Sequence, residues 1–312
     1  MQIPSESGDL TAVVASMVFP VAGILNYVPP SGDQKTAFRS ALNALLNGDE
    51  TGALQEFQNL DLKITRFSDV SGETFFLIRE TGPTPRGWGL YAINQDATRK
   101  VILEAPHPIA DQATETEAAS FFLSLSARAL LIGGAHRCAS PDLSSCDGTT
   151  TVCSTSSADE SFRISDAAHS EEQVFEIVHE EILSTDGSLT TVALHGFDQQ
   201  TGDPHAFVSN GTTSTAISSV SANRFVSLLK TATGVANAAQ SCNDGSAGAR
   251  LCGTDDLQGR FTNGSSDACT TASTAATQRF LHIEQSLDLR NDGGAGDPLT
   301  PSAVLDVLTQ LF

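Results

Sequence analysis

Residues 101–137 read VILEAPHPIADQATETEAASFFLSLSARALLIGGAHR, and this stretch decides the fold. The runs KVILEA (100–105) and ALLIGGA (129–135) have the length and apolar character of buried strands. Between them, apolar residues recur at helical spacing and predict a helix over 112–128. A strand, a helix and a second strand in this order form the parallel unit of an α/β sheet.

The same alternation continues towards the C-terminus. The patterns predict strands at 189–194 (LTTVAL) and 279–287 (RFLHIEQSL), and helices at 168–183 and 221–238. A last helix is expected after Thr300-Pro301, where threonine can cap the helix and proline fits its first turn. We therefore expect an α/β fold with a mixed, mostly parallel central sheet and helices on both faces.

Towards the N-terminus the pattern changes. Strand-like runs between 61 and 103, separated by Gly and Pro, predict hairpins or a meander at the edge of the sheet. KTAFRSALNALLNG (35–48) predicts a helix that stops at Gly48. We expect residues 1–50 to form a helical and irregular segment and residues 51–312 to form a single α/β domain.

The chain is strongly acidic. Its 312 residues include 37 acidic and 17 basic side chains, which give a net charge of −20 and a pI of about 4.5. Such a field disfavours nucleic acid and anionic membrane surfaces as partners. No apolar stretch reaches the roughly 18 residues of a membrane span. Only four of the basic residues are lysines, so the binding of an anion falls to arginine.

The six cysteines form two groups in segments rich in Ser, Thr, Gly and Asp: Cys138, Cys146 and Cys153, then Cys242, Cys252 and Cys269. The absence of CxxC argues against a cysteine zinc site. If all six pair, an odd number of disulfides must join the two groups. Disulfide-stapled loops indicate an oxidising compartment, so we expect a secreted or periplasmic protein. The first residues lack the basic segment of a signal peptide, so either the signal is absent from this chain or the cysteines are free.

Histidines stand at the ends of the predicted strands. His107, His136 and His195 each follow an apolar run, and a later run carries His282 and Glu284. The carboxyl ends of parallel strands meet at one edge of a sheet, where α/β proteins bind their ligands. Zinc favours imidazole and carboxylate ligands, and a catalytic zinc keeps one position open for water. His107 and His195 are therefore candidate zinc ligands.

The acidic zinc ligand has three candidates. Asp111 lies four residues after His107 and can face the same point if the loop turns into the helix there. As an alternative, Asp111 caps that helix, and Glu115 or Glu117 binds the metal. Thr114-x-x-Glu117 also has the pattern of a capping box, which would give Glu117 a structural role.

Glu284 is the candidate general base. On a strand it shares a face with His282, while Leu281 and Ile283 point to the core. A carboxylate beside a zinc-bound water can take its proton and pass it to a leaving amine, because the metal lowers the pKa of that water to about 7. The alternative is a surface or ion-paired glutamate.

Arg137 and three other residues are candidate substrate-binding groups. Arg137 can bind a substrate carboxylate with two hydrogen bonds or polarise a carbonyl, or it can form a structural ion pair. The other three are His136, Asp166 and His169, with capping of the following helix as the alternative role for Asp166. His179 lies further into that helix, where we expect it on the surface.

Five segments resemble the zinc carboxypeptidase superfamily, and within it the branch of N-formylglutamate amidohydrolases and poly-γ-glutamate hydrolases. They are LEAPHPIAD, ALLIGGAHR, SDAAH, TVALHGF and RFLHIEQSLDLR, which together span about 101–290. The resemblance implies a zinc-exopeptidase-like fold, bound Zn²⁺ and these functional residues: metal ligands His107, Asp111 and His195, with Arg137 and Glu284 as catalytic groups. Carboxypeptidases proper carry the acid three residues after the first histidine, one residue earlier than Asp111.

The first functional hypothesis is an exported zinc-dependent amidohydrolase or peptidase, with residues 51–312 as its catalytic domain. It would cleave an amide bond near a carboxylate of a small-molecule or peptide-like substrate. The alternative is a non-catalytic secreted binding module on the same scaffold, whose stapled loops carry recognition. The chain has neither a GxSxG elbow nor a GxxxxGK(S/T) loop, which disfavours serine hydrolases and P-loop enzymes. The sequence indicates neither the exact substrate nor the oligomeric state.

Overall fold

The computed structural model describes residues 2–24, 26–215, 220–244, 250–291 and 296–312. The strands in these ranges are β1 (Ser5–Gly8), β2 (Lys63–Asp69), β3 (Thr74–Arg79), β4 (Leu90–Ile93), β5 (Arg99–Ala105), β6 (Ala127–Ile132), β7 (Thr149–Thr150), β8 (Glu160–Ser161), β9 (Thr190–Gly196), β10 (Ala206–Ser209), β11 (Gln240–Ser241) and β12 (Phe280–Gln285). The helices are α1 (Leu10–Ala15), α2 (Gly32–Leu46), α3 (Glu50–Asn59), α4 (Thr114–Leu125), α5 (Val174–Thr185), α6 (Val220–Thr233), α7 (Leu257–Thr262), α8 (Leu287–Arg290) and α9 (Pro301–Leu311).

One large sheet organises the chain. Its strand order is β1-β2-β3-β4-β6-β5-β9-β12-β10-β11, and β7 pairs separately with β8. The central strands β6, β5, β9 and β12 run parallel to one another, while β2, β3 and β4 form an antiparallel meander beside them. These pairings confirm the expected mixed, mostly parallel sheet. The last predicted run of the meander region, β5, instead crosses to the centre of the sheet.

Helices cover both faces of the sheet, as expected. On one face α1, α4, α6 and α9 pack over one apolar core, and on the other face α2, α3 and α5 pack over a second. Successive strand residues contribute to opposite cores: Leu103 of β5 belongs to the first and Ile102 to the second. None of the described helices is long and apolar enough to cross a membrane.

Two helices begin differently from the sequence-based predictions. The N-cap of α4 is Ala113, without a side-chain capping bond, so the predicted capping box of Thr114 and Glu117 is wrong. Instead, the Glu117 carboxylate accepts a hydrogen bond from Gln285 Nε2 at 2.7 Å. Helix α5 begins at Val174 rather than near 168, because the preceding residues form turns. At α9, in contrast, the Thr300 side chain caps the helix as expected.

Three disulfides join all six cysteines. Two of them lie within a group, Cys138–Cys153 and Cys242–Cys252, and one crosses between the groups, Cys146–Cys269. The single crossing disulfide agrees with the odd number that three cysteines per group require. It brings the loop after β6 against the segment that follows α7.

Candidate active site

The carboxyl ends of the four central strands carry the candidate residues. His107 follows β5, His195 is the sixth residue of β9, Glu284 is the fifth residue of β12, and Arg137 follows β6. Because these strands are adjacent and parallel, their carboxyl ends meet at one edge of the sheet. Glu284 and His195 are direct partners in the β9–β12 register, so both side chains lie on the same face.

Two histidines converge on one carboxylate oxygen. His107 Nδ1 lies 3.2 Å from Asp111 Oδ2, and His195 Nδ1 lies 3.5 Å from the same oxygen. All three side chains are buried, and the two imidazole rings meet edge to face with centroids 4.9 Å apart. Two imidazole nitrogens and a carboxylate oxygen at these spacings form a donor set that a zinc ion prefers.

An unusual turn brings Asp111 to His107. Ile109 has a φ of 68°, in the left-handed region that β-branched residues rarely adopt. The N–H of Ala110 donates to the carbonyl of Pro108 at 2.8 Å, and the N–H of Asp111 donates to the carbonyl of His107 at 3.0 Å. This tight turn reverses the chain between His107 and Asp111, so that the two side chains meet.

Arg137 binds the other oxygen of Asp111. Its Nη2 group donates to Asp111 Oδ1, and the two side chains form an ion pair. Burial by itself would raise the pKa of Asp111, but the charges of Arg137 and His107 hold it well below its usual value. Asp111 is therefore an anion at neutral pH.

The alternative acidic ligands, Glu115 and Glu117, do not belong to this set of closely spaced atoms. Burial raises the pKa of Glu115, and it raises the pKa of Glu117 to about 8. Among the described residues, neither carboxylate belongs to a group of closely spaced metal-ligand atoms. The geometry therefore favours Asp111 as the acidic member of the set.

Asp166 and His169 lie behind His107. The Nε2–H of His107 donates to Asp166 Oδ1 at 2.9 Å, and His169 Nδ1 donates to the same oxygen at 2.9 Å. Burial would raise the pKa of Asp166, but the charges of His169 and His107 keep it well below its usual value. His169 also stacks on Phe162, with ring centroids 3.7 Å apart. These contacts support His107, and neither Asp166 nor His169 lines the pocket described below.

A further carboxylate, Asp256, lies behind His195. Its Oδ2 atom is 3.7 Å from His195 Nε2 and 3.4 Å from His282 Nε2, and its Oδ1 atom is 3.4 Å from His169 Nε2. Sequence reasoning missed Asp256, because it precedes the short helix α7 in a segment without periodicity. The adjacent pair Asp255-Asp256 is the only sequence signal there.

Glu284 combines burial with access to the pocket. Burial raises its pKa to about 7, although the charge of His195 acts in the opposite direction. Its Oε2 atom is buried and has no hydrogen-bond partner among the described residues. Leu281 and Ile283, on the opposite face of β12, belong to the apolar core as predicted.

A pocket of about 800 Å³ opens in front of these groups. Asp111, Arg137 and Glu284 line it, and so does His136, whose Nδ1 accepts a hydrogen bond from the N–H of Cys138 at 3.1 Å. The remaining lining residues are Ala110, Gln112, Cys138, Thr151, Val152, Gly196, Phe197, Asp198, Gln200, Arg250, Leu251, Leu287 and Arg290. The carboxylates of Asp111 and Glu284 thus face the same space.

The predicted surface position of His179 is wrong. His179 is completely buried, its Nδ1 lies 2.7 Å from Glu104 Oε1, and its Nε2 lies 3.1 Å from Thr262 Oγ1. Helix α5 packs against both the sheet and α7, so His179, which lies beside its main apolar face, is also covered. This polar cluster lies inside the protein and outside the pocket.

No family model and no curated protein matches the sequence. Among solved structures, the chain is similar to a putative carboxypeptidase A from Shewanella denitrificans OS-217, with 14% identity, a TM-score of 0.34 and coverage of 84% of this chain and 66% of that one. It is also similar to a putative carboxypeptidase from Burkholderia mallei ATCC 23344 (13%, 0.37, 84% and 67%) and a metallo-carboxypeptidase from Burkholderia cenocepacia (11%, 0.34, 85% and 67%). The chain thus spans about two thirds of the length of each of these proteins.

Proposed function

We propose that this chain is a zinc-dependent hydrolase that cleaves an amide bond. The observation that carries the proposal is the convergence of His107 Nδ1 and His195 Nδ1 on one oxygen of Asp111. Asp111, the acidic member of this set, lines a pocket that Glu284 also lines. Other buried histidine–carboxylate groups have similar spacing, but no member of those groups lines the pocket, whereas Asp111 does.

The residues fit a zinc ion in chemistry and in charge. Asp166 accepts the Nε2–H of His107, so Nδ1, which faces Asp111, would give its lone pair to the metal. Burial would lower the pKa of His195, but Asp111, Asp256 and Glu284 together raise it to about 9. The same carboxylates that favour a proton on this ring favour a cation beside it. Three protein ligands leave a coordination position for water.

The chain's own groups supply the proton transfers and orient the reactants. When bound, Zn²⁺ lowers the pKa of a coordinated water to about 7 and polarises a carbonyl. Glu284 takes a proton from the attacking water and delivers it to the leaving nitrogen, for which a pKa of about 7 is suited at neutral pH. Arg137 holds Asp111 and stabilises negative charge on the carbonyl oxygen from the pocket wall.

The pocket and the disulfides support the remaining parts of the proposal. A volume of about 800 Å³ accommodates a small-molecule or peptide-like substrate with a carboxylate. Three disulfides suit an oxidising compartment, so we propose that the enzyme acts outside the cytoplasm.

Metal content is the first test. We expect elemental analysis of the purified protein to find about one zinc per chain and to find none in His107→Ala and His195→Ala. His205→Ala, which changes a histidine outside the cluster, serves as the control. Hydrolysis of N-acyl amino acids and short peptides is then measured on the zinc-loaded protein. A protein that takes up no zinc even when supplied with it would exclude this mechanism and favour a non-catalytic binding module.

A further inference from the structure

His169 turns its second ring nitrogen towards two aspartates outside the pocket. Its Nδ1–H donates to Asp166 Oδ1 at 2.9 Å, so Nε2 points away from Asp166. That Nε2 atom lies 3.4 Å from Asp256 Oδ1 and 3.7 Å from Asp255 Oδ1. We refer to His169, Asp255 and Asp256 as the outer group. The described lining of the pocket includes none of these three residues, so the outer group is separate from the proposed zinc ligands.

The separations within the outer group are too long for hydrogen bonds but suit a shared metal ion. N–H···O bonds in proteins measure about 2.7–3.2 Å. Zinc binds imidazole nitrogen at about 2.0–2.1 Å and carboxylate oxygen at about 2.0–2.2 Å, so two ligand atoms of a tetrahedral site are about 3.3–3.5 Å apart. The 3.4 and 3.7 Å from His169 Nε2 to the two carboxylates are close to this spacing.

The carboxylate of Asp256 is buried without the hydrogen bonds that such a group normally accepts. Asp256 is the N-cap residue of α7, but its side chain makes no capping bond. Its Oδ2 atom has no hydrogen-bond partner among the described residues, although the Nε2 atoms of His195 and His282 lie 3.7 and 3.4 Å away. Burying a carboxylate in this way is costly. A cation bound to its other oxygen, Oδ1, would offset that cost.

The outer group attracts positive charge. Burial would lower the pKa of His169, but Asp166 and then the two aspartates of the outer group raise it to about 10. Arg260, whose charge also acts on Asp255, forms its ion pair with Asp147. A metal ion on Nε2 takes the place of the proton there, and that proton passes to the solvent.

The outer group is held in place and can be reached from solvent. The ring of His169 stacks on Phe162, with centroids 3.7 Å apart, which fixes the direction of Nε2. The side chain of Asp255 is 37% exposed, whereas that of Asp256 is 3% exposed. An ion can therefore enter at Asp255 without passing through the pocket.

We propose that His169, Asp255 and Asp256 form a second metal site, which takes a divalent transition-metal ion such as Zn²⁺. One imidazole nitrogen and two carboxylate oxygens are ligands for such an ion, and water completes its shell. The site goes beyond the proposed amide hydrolysis and binds its ion whether or not that reaction occurs. Its affinity for zinc should be about 10³-fold lower than that of the first site, because it has one imidazole instead of two and must release a proton. The purified protein then carries one zinc, and the second ion binds when zinc is added.

Calorimetric titration of the one-zinc protein with Zn²⁺ tests the second site. We expect one further ion per chain, and Asp255→Asn should weaken its binding by about 10- to 100-fold while the first zinc stays bound. Glu171→Gln is the matched control, because it removes the same charge from an exposed acidic group whose sulfur atom, that of Cys269, is held in a disulfide. This control should change the binding of the second ion by less than about threefold.

A second substitution at the same position separates coordination from simple attraction of charge. Asp255→Asn and Asp255→His both remove the negative charge, but only histidine offers a nitrogen ligand for zinc. We expect Asp255→His to bind the second zinc at least about tenfold more tightly than Asp255→Asn does. Equal losses in the two variants would overturn the site. The absence of a second zinc at millimolar concentration, or its unchanged binding in Asp255→Asn, would overturn it as well.

His107→Ala separates this site from the proposed function. This variant should lose the first zinc and still bind one ion with the weak affinity of the outer group. A single zinc that is lost in Asp255→Asn but not in His107→Ala would retain the outer group as a metal site and contradict the proposed function. A single zinc that is lost only in His107→Ala would retain the proposed function and overturn the second site.

Discussion

One substitution at Glu284 can separate its role in proton transfer from its place in the structure. Burial raises its pKa to about 7, so at neutral pH it can both accept and return a proton. Glu284→Gln keeps the shape but removes this exchange. We expect kcat to fall by about 10²- to 10⁴-fold while the zinc content stays at one ion per chain. Both quantities should be measured on the same preparation, and an unchanged kcat would exclude Glu284 as the base.

Glu176 makes stability depend on pH. It is buried in α5, where burial raises its pKa to about 8 although the charge of His179 opposes this. The folded-state pKa therefore lies above the unfolded value of about 4.3, so the folded state holds a proton that the unfolded chain releases between these values. The contribution of the protonated group is complete below about pH 4 and is lost as the pH rises towards 8.

Glu176→Gln should remove that loss. We expect the variant and the parent to unfold at nearly the same temperature at pH 4, and the variant to unfold about 7 °C higher at pH 8.5. Thermal melts across this range check the prediction, with Asp306→Asn, at an exposed position of α9, as the control. The prediction is wrong if the difference between variant and parent is the same at every pH.

At the scale of elements, apolar runs predicted the strands well, and polar residues at their ends were harder to assign. The predicted strands 129–135 and 189–194 correspond closely to β6 and β9, because burial on both faces demands continuous apolar sequence. Asp111 and Asp166 had helix-capping alternatives, but their carboxylates instead bind the imidazole of His107. Which partner a carboxylate takes depends on tertiary proximity, which no local spacing encodes.

The residues of the candidate site that the sequence analysis did not identify were missed for the same reason. Asp256 comes from the segment before α7, and Arg290 comes from the four-residue helix α8. Elements this short have too few residues to show a period. Arg290 lines the pocket because the packing of the folded chain places α8 beside the end of β9. His179 was misplaced for a related reason, because α7 covers the side of α5 that the pattern left polar.

Removing the crossing disulfide Cys146–Cys269 should destabilise α7 more than removing the disulfide Cys242–Cys252. Cys146–Cys269 closes 123 residues, whereas Cys242–Cys252 closes 10. Loop-closure entropy then gives about 5 kcal/mol for the first and about 3 kcal/mol for the second, before any relaxation of the native state. We expect Cys146→Ala/Cys269→Ala to unfold at a lower temperature than Cys242→Ala/Cys252→Ala and to bind zinc more weakly, because Asp256 at the start of α7 supports His195. Melts and zinc titrations of both pairs check this, and equal zinc affinity would separate α7 from the metal site.

On the scale of the whole molecule, the candidate zinc ligands are close together only in the folded chain. His107 and His195 are 88 positions apart in the sequence and are joined through the parallel pairing of β5 and β9. A ligand that binds only the folded state stabilises it by mass action. At a free zinc concentration about 100 times Kd, the gain is about 2.7 kcal/mol, which corresponds to a rise in Tm of about 4 °C for a chain of this size. We therefore expect zinc to raise the Tm of the parent protein by this amount.

Histidine variants and a second cation test whether the rise in Tm comes from zinc bound at the proposed site. His107→Ala should lose the shift, because one nitrogen ligand is removed, and His205→Ala should keep it. Mg²⁺ should give no comparable shift, because it prefers an octahedral shell of oxygen atoms over imidazole nitrogens. Sodium chloride at matched ionic strength corrects for screening of the net charge of −20, which acts on parent and variant alike. If zinc stabilised His107→Ala as much as the parent, the ion would be bound elsewhere, and the convergence on Asp111 would then be a hydrogen-bonded cluster of the fold.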